Sequence, residues 1–308
     1  MTDWWVAMPP RAHILVVNGR KVSQPVFVIG APRSGTELLG AALKRSPGFH
    51  VTIGQDAVQG VVYAFARSPS IQRGRGGAAA TVLRDAFAQA WQITPHGCLT
   101  CSPLCREAGG VMGGRASCMA EREIVRYGDA SPDLMYSAAD LVTAFPDARL
   151  LQVIRDGRDV VAAMMADPQE LGWFKPGVAN VETEFPNPFL GIESEQDLAI
   201  WPELSLAGKC AMRWRGSVRA MARLRAAMSA DQLTTLRYEN VIRQPAATAA
   251  AVSGFVGDTI DQVQPPAAWR DGLATGEPGS WRRLLTSAQL AEIESVAGPD
   301  LRRVGYLD

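Results

Sequence analysis

The chain has 308 residues, 47% of them hydrophobic and 20% charged, enough to bury a sizeable core in one large α/β domain or two small ones. Lys plus Arg and Asp plus Glu balance at 31 each, so no global charge draws the protein to nucleic acid or to an anionic membrane. No apolar stretch approaches the ~18–20 residues of a membrane span.

Residues 1–24 lack the positive region and apolar core of a secretory signal. A cytoplasmic location is therefore expected, with the five cysteines as reduced thiols or metal ligands. The only lysines are Lys21, Lys44, Lys175 and Lys209, and residues 246–251 are almost all alanine. Both features point to a GC-rich bacterial genome.

In chain order, the first clear unit is an apolar run, Val26-Phe27-Val28-Ile29, followed by Gly30-Ala31-Pro32-Arg33-Ser34-Gly35-Thr36. Leu38, Leu39, Ala42 and Leu43 then repeat at helical spacing. This predicts strand, tight loop and helix. Residues 68–77 are rich in Gly and Arg and predict a loop. Residues 133–145 have a helical pattern stopped by Pro146-Asp147, Leu150 to Ile154 form a buried strand, and a helix runs from Arg158 to Met165. Residues 167–204 are rich in Pro, Gly, Trp and acids with little periodicity, which suits a lid or a surface insertion. Leu233 to Leu236 predict a third strand and residues 246–256 a helix with Pro245 at its start. Strands alternating with helices imply an α/β fold, a P-loop-like parallel sheet flanked by helices.

The spacing Gly30-x4-Gly35 lets the backbone curl so that successive N–H groups face an anion at a helix start. Ser34 and Thr36 add hydroxyls. A nucleotide triphosphatase carries Lys after the second glycine, with Ser or Thr on magnesium. Here that position is Thr36 and the cation is Arg33, placed to neutralise charge at a phosphate without a metal.

The run from Val28 to Leu39 resembles the 5′-phosphosulfate loop of sulfotransferases that use 3′-phosphoadenosine 5′-phosphosulfate (PAPS), in the branch with Pro-Arg-Ser-Gly-Thr. Leu151-Gln152-Val153-Ile154-Arg155-Asp156-Gly157-Arg158-Asp159 resembles that family's 3′-phosphate motif. Leu236-Arg237-Tyr238-Glu239-Asn240-Val241 and Gly279-Ser280-Trp281-Arg282-Arg283-Leu284 resemble two later family segments, in family order. The resemblance implies that Arg33, Ser34, Gly35 and Thr36 hold the 5′-phosphosulfate and that Arg155 binds the 3′-phosphate. Tyr238 would lie near the nucleotide, and Arg282 or Arg283 would close its site. The alternatives are an ion pair of Arg155 with Asp156 or Asp159, and a core role for Tyr238.

Three positions depart from the family pattern. Ala163 stands where a phosphate-binding Ser is usual. Glu37 replaces a second Thr and should point into solvent or pair with an Arg. Ala130 replaces a cationic Lys, leaving transition-state charge to Arg33 or another cation.

Sulfuryl transfer needs in-line positioning, a cation for the leaving phosphate and a base for the acceptor hydroxyl. The resemblance places Asp56 at the base position, with a helix cap as the alternative; His50, a residue type suited to general-base work, is the second candidate. Cys98, Cys101, Cys105 and Cys118 could hold a structural zinc or remain unligated thiols; the transfer itself requires no metal.

The expectation is one domain over 1–308, with core 25–60, 130–166 and 205–308 and cap segments 68–118 and 167–204. Trp173, Phe174, Phe185, Phe189 and Trp201 in the cap suggest an apolar or ring-bearing acceptor. The partners are PAPS and a hydroxyl-bearing small molecule, lipid or carbohydrate, with natural-product tailoring as the first reading. The rivals are a P-loop kinase or nucleotide triphosphatase and an inactive nucleotide-binding homologue.

Overall fold

The computed structural model describes residues 14–72, 77–94, 97–112, 116–120, 123–264 and 275–308. The N-terminal residues 1–13 and part of the predicted 68–77 loop lie outside the described residues. A small hairpin, β1 (Val16–Val17) and β2 (Arg20–Lys21), precedes the main sheet. There follow β3 (Val26–Gly30), α1 (Thr36–Arg45), β4 (Phe49–Thr52), α2 (Asp56–Arg67), α3 (Gly77–Ala90), α4 (Pro103–Ala108), β5 (Arg126–Asp129), α5 (Ala138–Ala144) and β6 (Arg149–Ile154). The second half contains α6 (Gly157–Met165), α7 (Pro168–Gly172), α8 (Glu195–Ile200), α9 (Leu206–Ala227), β7 (Leu233–Arg237), α10 (Tyr238–Arg243), α11 (Pro245–Val256), α12 (Trp281–Leu284) and α13 (Ser287–Arg303).

Five strands form one parallel sheet in the order β4-β5-β3-β6-β7. The predicted α/β fold is therefore present. Strand β3 is central and every one of its residues is buried, as a strand covered on both faces requires. Its alternation explains how. Phe27 and Ile29 join one core with Leu83, Phe87, Trp91 and Phe145, while Val26 and Val28 join another with Leu43, Val51 and Val252. Truncating a ring as deep as Phe27 costs about 3–5 kcal/mol. A third core forms where α9 crosses α6 and α13 around Trp214, Val161 and Ala297.

Local chemistry sets the helix ends. Gln55 caps α2 by accepting from the Ala57 and Val58 N–H groups, so Asp56 is the first helical residue and not the cap. Asp156 caps α6, and Thr286 with Gln289 closes a capping box on α13. Helix α3 falls inside the expected cap segment, yet it buries Leu83 and Phe87 in the sheet core.

Register puts the three predicted loops side by side. Gly30 pairs with Val153, and Ile154 pairs with Arg237. The loops after β3, β6 and β7 thus leave the same carboxyl edge of adjacent strands. The chain runs to β4 and β5 on one side of β3 and to β6 and β7 on the other. A crevice opens at such a reversal, which is where open α/β sheets bind ligands.

Candidate active site

The loop after β3 brings backbone N–H groups and a buried hydroxyl to a helix start, an arrangement that can hold an anion. Gly35 begins α1 with φ of 91°, a left-handed conformation that favours glycine. A Cβ there would also lie 2.5 Å from the Tyr238 ring. The glycine is thus required twice, once for the turn and once for the ring beneath it. The first-turn N–H groups of α1 have no helical partners and point out of the loop. Ser34 is fully buried and its Oγ has no hydrogen-bond partner. An orphaned hydroxyl inside a glycine loop fits an incoming phosphate oxygen.

Arg155, directly after β6, ties three segments together. It is 2% exposed, donates from Nη1 to the Arg33 carbonyl at 2.8 Å and from Nη2 to the Thr275 carbonyl at 2.5 Å. Its guanidinium lies 4.4 Å from the centre of the Tyr238 ring. The ion pair with Asp156 or Asp159 envisaged from sequence is not made by Arg155: Asp156 pairs with Arg158. Tyr238 is buried, and its hydroxyl donates to the Gly276 carbonyl at 2.5 Å. It is at once a core ring and a wall of the phosphate loop.

Asp159 holds the C-terminal segment. One carboxylate oxygen accepts from the Gly279 N–H at 2.7 Å, the other from the Trp281 N–H at 2.9 Å and the Ser280 hydroxyl at 3.1 Å. This anchors α12, which carries Arg282 over the Trp281 ring and Arg283 paired with Glu277. Sequence reasoning missed this tether. Ala163 is buried on α6.

A cavity of about 410 Å³ opens beside the phosphate loop. Arg33, Thr36, Glu37, Asp56, Tyr63 and Trp173 contribute to its wall. Arg33 forms an ion pair with Asp167 there. Glu37 does not turn away into solvent: it faces the cavity. Burial pushes its carboxyl up, with Arg33 opposing and Glu170 and Asp167 adding to the rise. Asp133 is pushed up to about 6 by burial, against the pull of Arg213. Arg213 is fully buried and bridges Asp133, at 2.7 Å, to Glu170. Neither Glu170 nor Arg213 carries a local sequence signal.

The two base candidates separate. Asp56 is exposed on the cavity wall. His50 is buried on β4, edge-on to Tyr127 and beside Cys118, and is not among the lining residues. Of the five cap aromatics only Trp173 lines the cavity, whereas Phe174, Phe189 and Trp201 are buried in the α6–α9–α13 core. The apolar acceptor expected from them therefore lacks its wall. Ala130 is fully buried against Gly40, where an added Cβ would come within 2.3 Å of it. That side chain faces the core, so position 130 has no room for a cation here. All four clustered cysteines act electrostatically on Lys44 or feel its charge, and the Lys44 ammonium donates to Cys118 Sγ at 3.1 Å. Among the described residues no group of three or more His, Cys, Asp or Glu side chains is arranged to hold a metal.

No helix of the described residues is long and apolar enough to cross a membrane. No curated protein matches the chain. Among solved structures it is similar to the sulfotransferase domain of the Synechococcus PCC 7002 olefin synthase, with 15% identity, 89% of this chain and 94% of that chain covered, and a TM-score of 0.46. It is similar to a sulfotransferase from Alicyclobacillus acidocaldarius at 16% identity, covering 90% and 97%, with a TM-score of 0.41. A mouse sulfotransferase complexed with PAP is similar at 12% identity, covering 91% and 85%, with a TM-score of 0.41. The model of the sulfotransferase family matches residues 25–184, which include the Gly30–Gly35 loop, Arg155 and all the residues that line the cavity, and the chain belongs to that family.

Proposed function

We propose that the protein transfers the sulfuryl group of PAPS to a hydroxyl of a polar small molecule held in the cavity beside Arg33. The observation that carries this reading is the meeting of the Gly30–Gly35 loop, with its orphaned Ser34 hydroxyl, and the acid-lined cavity on either side of Arg33. One domain of 1–308, with segments of 68–118 and 167–204 bordering the cavity, accommodates both halves.

In this reading the first-turn N–H groups of α1, Ser34 and Thr36 hold the 5′-phosphosulfate. Arg155 holds the 3′-phosphate; its Nη2 exchanges the Thr275 carbonyl for a phosphate oxygen and its Nη1 keeps the loop tethered through the Arg33 carbonyl. Tyr238 supports both from beneath. Arg282 and Arg283, on the segment anchored by Asp159, close the nucleotide site. Arg33 stabilises charge that develops on the leaving phosphate. With position 130 facing the core, Arg33 is the cation nearest the reacting bond.

The base must lie within reach of the acceptor hydroxyl and carry a pKa near the working pH. Glu37 follows the loop directly, faces the cavity, and is held above the usual carboxylate range. It is the first choice, with Asp56 second. Five carboxylates line the cavity (Glu37, Asp56, Asp133, Asp167 and Glu170) against one arginine, Arg33. They suit an acceptor that offers several hydroxyls or an amine, so a carbohydrate-like or amino-bearing natural product fits better than a lipid.

Calorimetry tests the donor half. Metal-independent binding of 3′,5′-adenosine bisphosphate, the desulfated product, with no preference for ATP and magnesium, supports the reading. A preference for ATP with magnesium would move the kinase alternative to first place.

A further inference from the structure

Lys44 on α1 is 8% exposed. Its ammonium donates to the Val51 carbonyl at 2.8 Å and meets Cys118 Sγ at 3.1 Å. Among the described residues no carboxylate lies within ion-pair distance of it. A buried ammonium without a counter-charge costs several kcal/mol, so sulfur must supply the negative charge. Cys118 is the sulfur in contact. Its backbone N–H donates to Cys98 Sγ at 3.3 Å. Gly109 leaves room for this approach: a Cβ there would fall 2.5 Å from Cys118 Cβ and 3.0 Å from Lys44 Cε. The hydrogen bond from the Cys98 thiol holds Cys118 well below the usual thiol range, against burial, and His50 and Lys44 add to the effect. The same bond pushes Cys98 up. Cys118 is half-buried, whereas Cys105, the other thiol near Lys44 with a lowered pKa, is buried.

We propose that Cys118 is a redox modification site, a thiolate paired with the Lys44 ammonium that reacts with hydroperoxides and is resolved by Cys98 into a disulfide. The Cys118 thiolate attacks one peroxide oxygen and the O–O bond breaks. The sulfur becomes a sulfenic acid, and the departing oxide takes a proton from solvent to leave as water or an alcohol. Cys98 sulfur then attacks Cys118 sulfur. The S–S bond forms, the S–O bond breaks, and the hydroxide leaves with the Cys98 proton as water. The two thiols lose two electrons to one hydroperoxide. Cys98 adjoins Leu99, Thr100 and Cys101 on the cavity wall, so the bond would form next to the candidate active site. The thiol chemistry does not depend on the identity of the transferred group.

Mass-spectrometric mapping of the folded full-length protein tests this. With iodoacetamide near pH 6.5, Cys118 should be alkylated at least ~10-fold faster than Cys98, Cys101 or Cys105, because only the thiolate reacts. One equivalent of hydrogen peroxide should give a Cys98–Cys118 cross-linked peptide. Cys98→Ser should instead accumulate a dimedone-trapped sulfenic acid on Cys118. Lys44→Met should slow alkylation and Lys44→Arg should restore it; if Lys44→Met does not fold, the wild-type mapping and the Cys98→Ser trap decide. Alkylation of Cys118 at the rate of an ordinary thiol, a cross-link between other cysteines, or stoichiometric zinc released by Cys118→Ser would each overturn the proposal.

Discussion

Replacing Arg155 by Ala isolates the proposed 3′-phosphate contact. The side chain is 2% exposed and both terminal nitrogens donate to backbone carbonyls. In the proposed bound state Nη2 turns to phosphate while Nη1 keeps the Arg33 carbonyl. Hydrogen bonds to charged groups contribute about 1.5–3 kcal/mol each. Loss of the phosphate contact, with a loosened phosphate loop, therefore weakens bisphosphate binding by roughly 2–3 kcal/mol, or about 30- to 150-fold. The carbonyls of Arg33 and Thr275 lose their partner at the same time, which costs about 1–3 kcal/mol of stability. Calorimetry with 3′,5′-adenosine bisphosphate reads the first effect and thermal unfolding the second. Arg155→Lys keeps the charge but loses the planar fork, so it should recover only part of the affinity. Affinity within about threefold of wild type in a folded Arg155→Ala protein would refute the assignment and leave Arg155 as a purely structural tie between β6, the phosphate loop and the C-terminal segment.

Glu37→Gln should lower kcat by about 10²–10⁴ and Asp56→Asn by under about tenfold, as expected if Glu37 takes the acceptor proton. The acidic limb of the wild-type pH–rate profile should lie above the ordinary Glu value, because burial raises that pKa, and should vanish in Glu37→Gln; the reverse ranking of the two variants would move the base to Asp56. Gly35→Ala combines a left-handed φ with a Tyr238 ring 2.5 Å from the new Cβ, and should cost at least ~2 kcal/mol in denaturant unfolding. Asp129 is fully buried, and burial pushes its pKa up to about 7 against the hydrogen bonds of Thr52 and Ser131. A raised carboxylate pKa stabilises the fold at low pH, and that contribution is lost as pH rises from about 4 through about 7. Asp129→Asn should flatten this decline in a pH series of unfolding curves; an unchanged slope would assign the decline to other groups.

Local pattern was enough for the elements that repeat clearly. Val26 to Ile29, Leu150 to Ile154 and Leu233 to Leu236 are short apolar runs with glycine, proline or charge at their ends, and all three are parallel strands. Strands β4 and β5 were not recognisable, because Phe49–Thr52 and Arg126–Asp129 are short and place His50, Arg126 and Asp129 where an apolar run would signal a strand. Helix α9 gives a weak apolar signal, since eight of its buried positions are Gly, Ala, Cys, Arg or Ser.

The candidate anion loop was legible because such a loop is a local device: glycine spacing, a helix start and an adjacent Arg act within a few residues of one another. The cavity beside it was decided by tertiary structure. Glu37, Asp133 and the Asp167–Glu170 pair come from three separate stretches of chain and line one cavity only once these stretches pack around the sheet. The same packing turns Ala130 into the core, draws Arg213 between Asp133 and Glu170, and brings Lys44 to a thiol 74 positions away. Hydrophobic periodicity reports which face of an element is buried. It carries no information on which polar groups from distant elements will share a space, and burial then sets their charge.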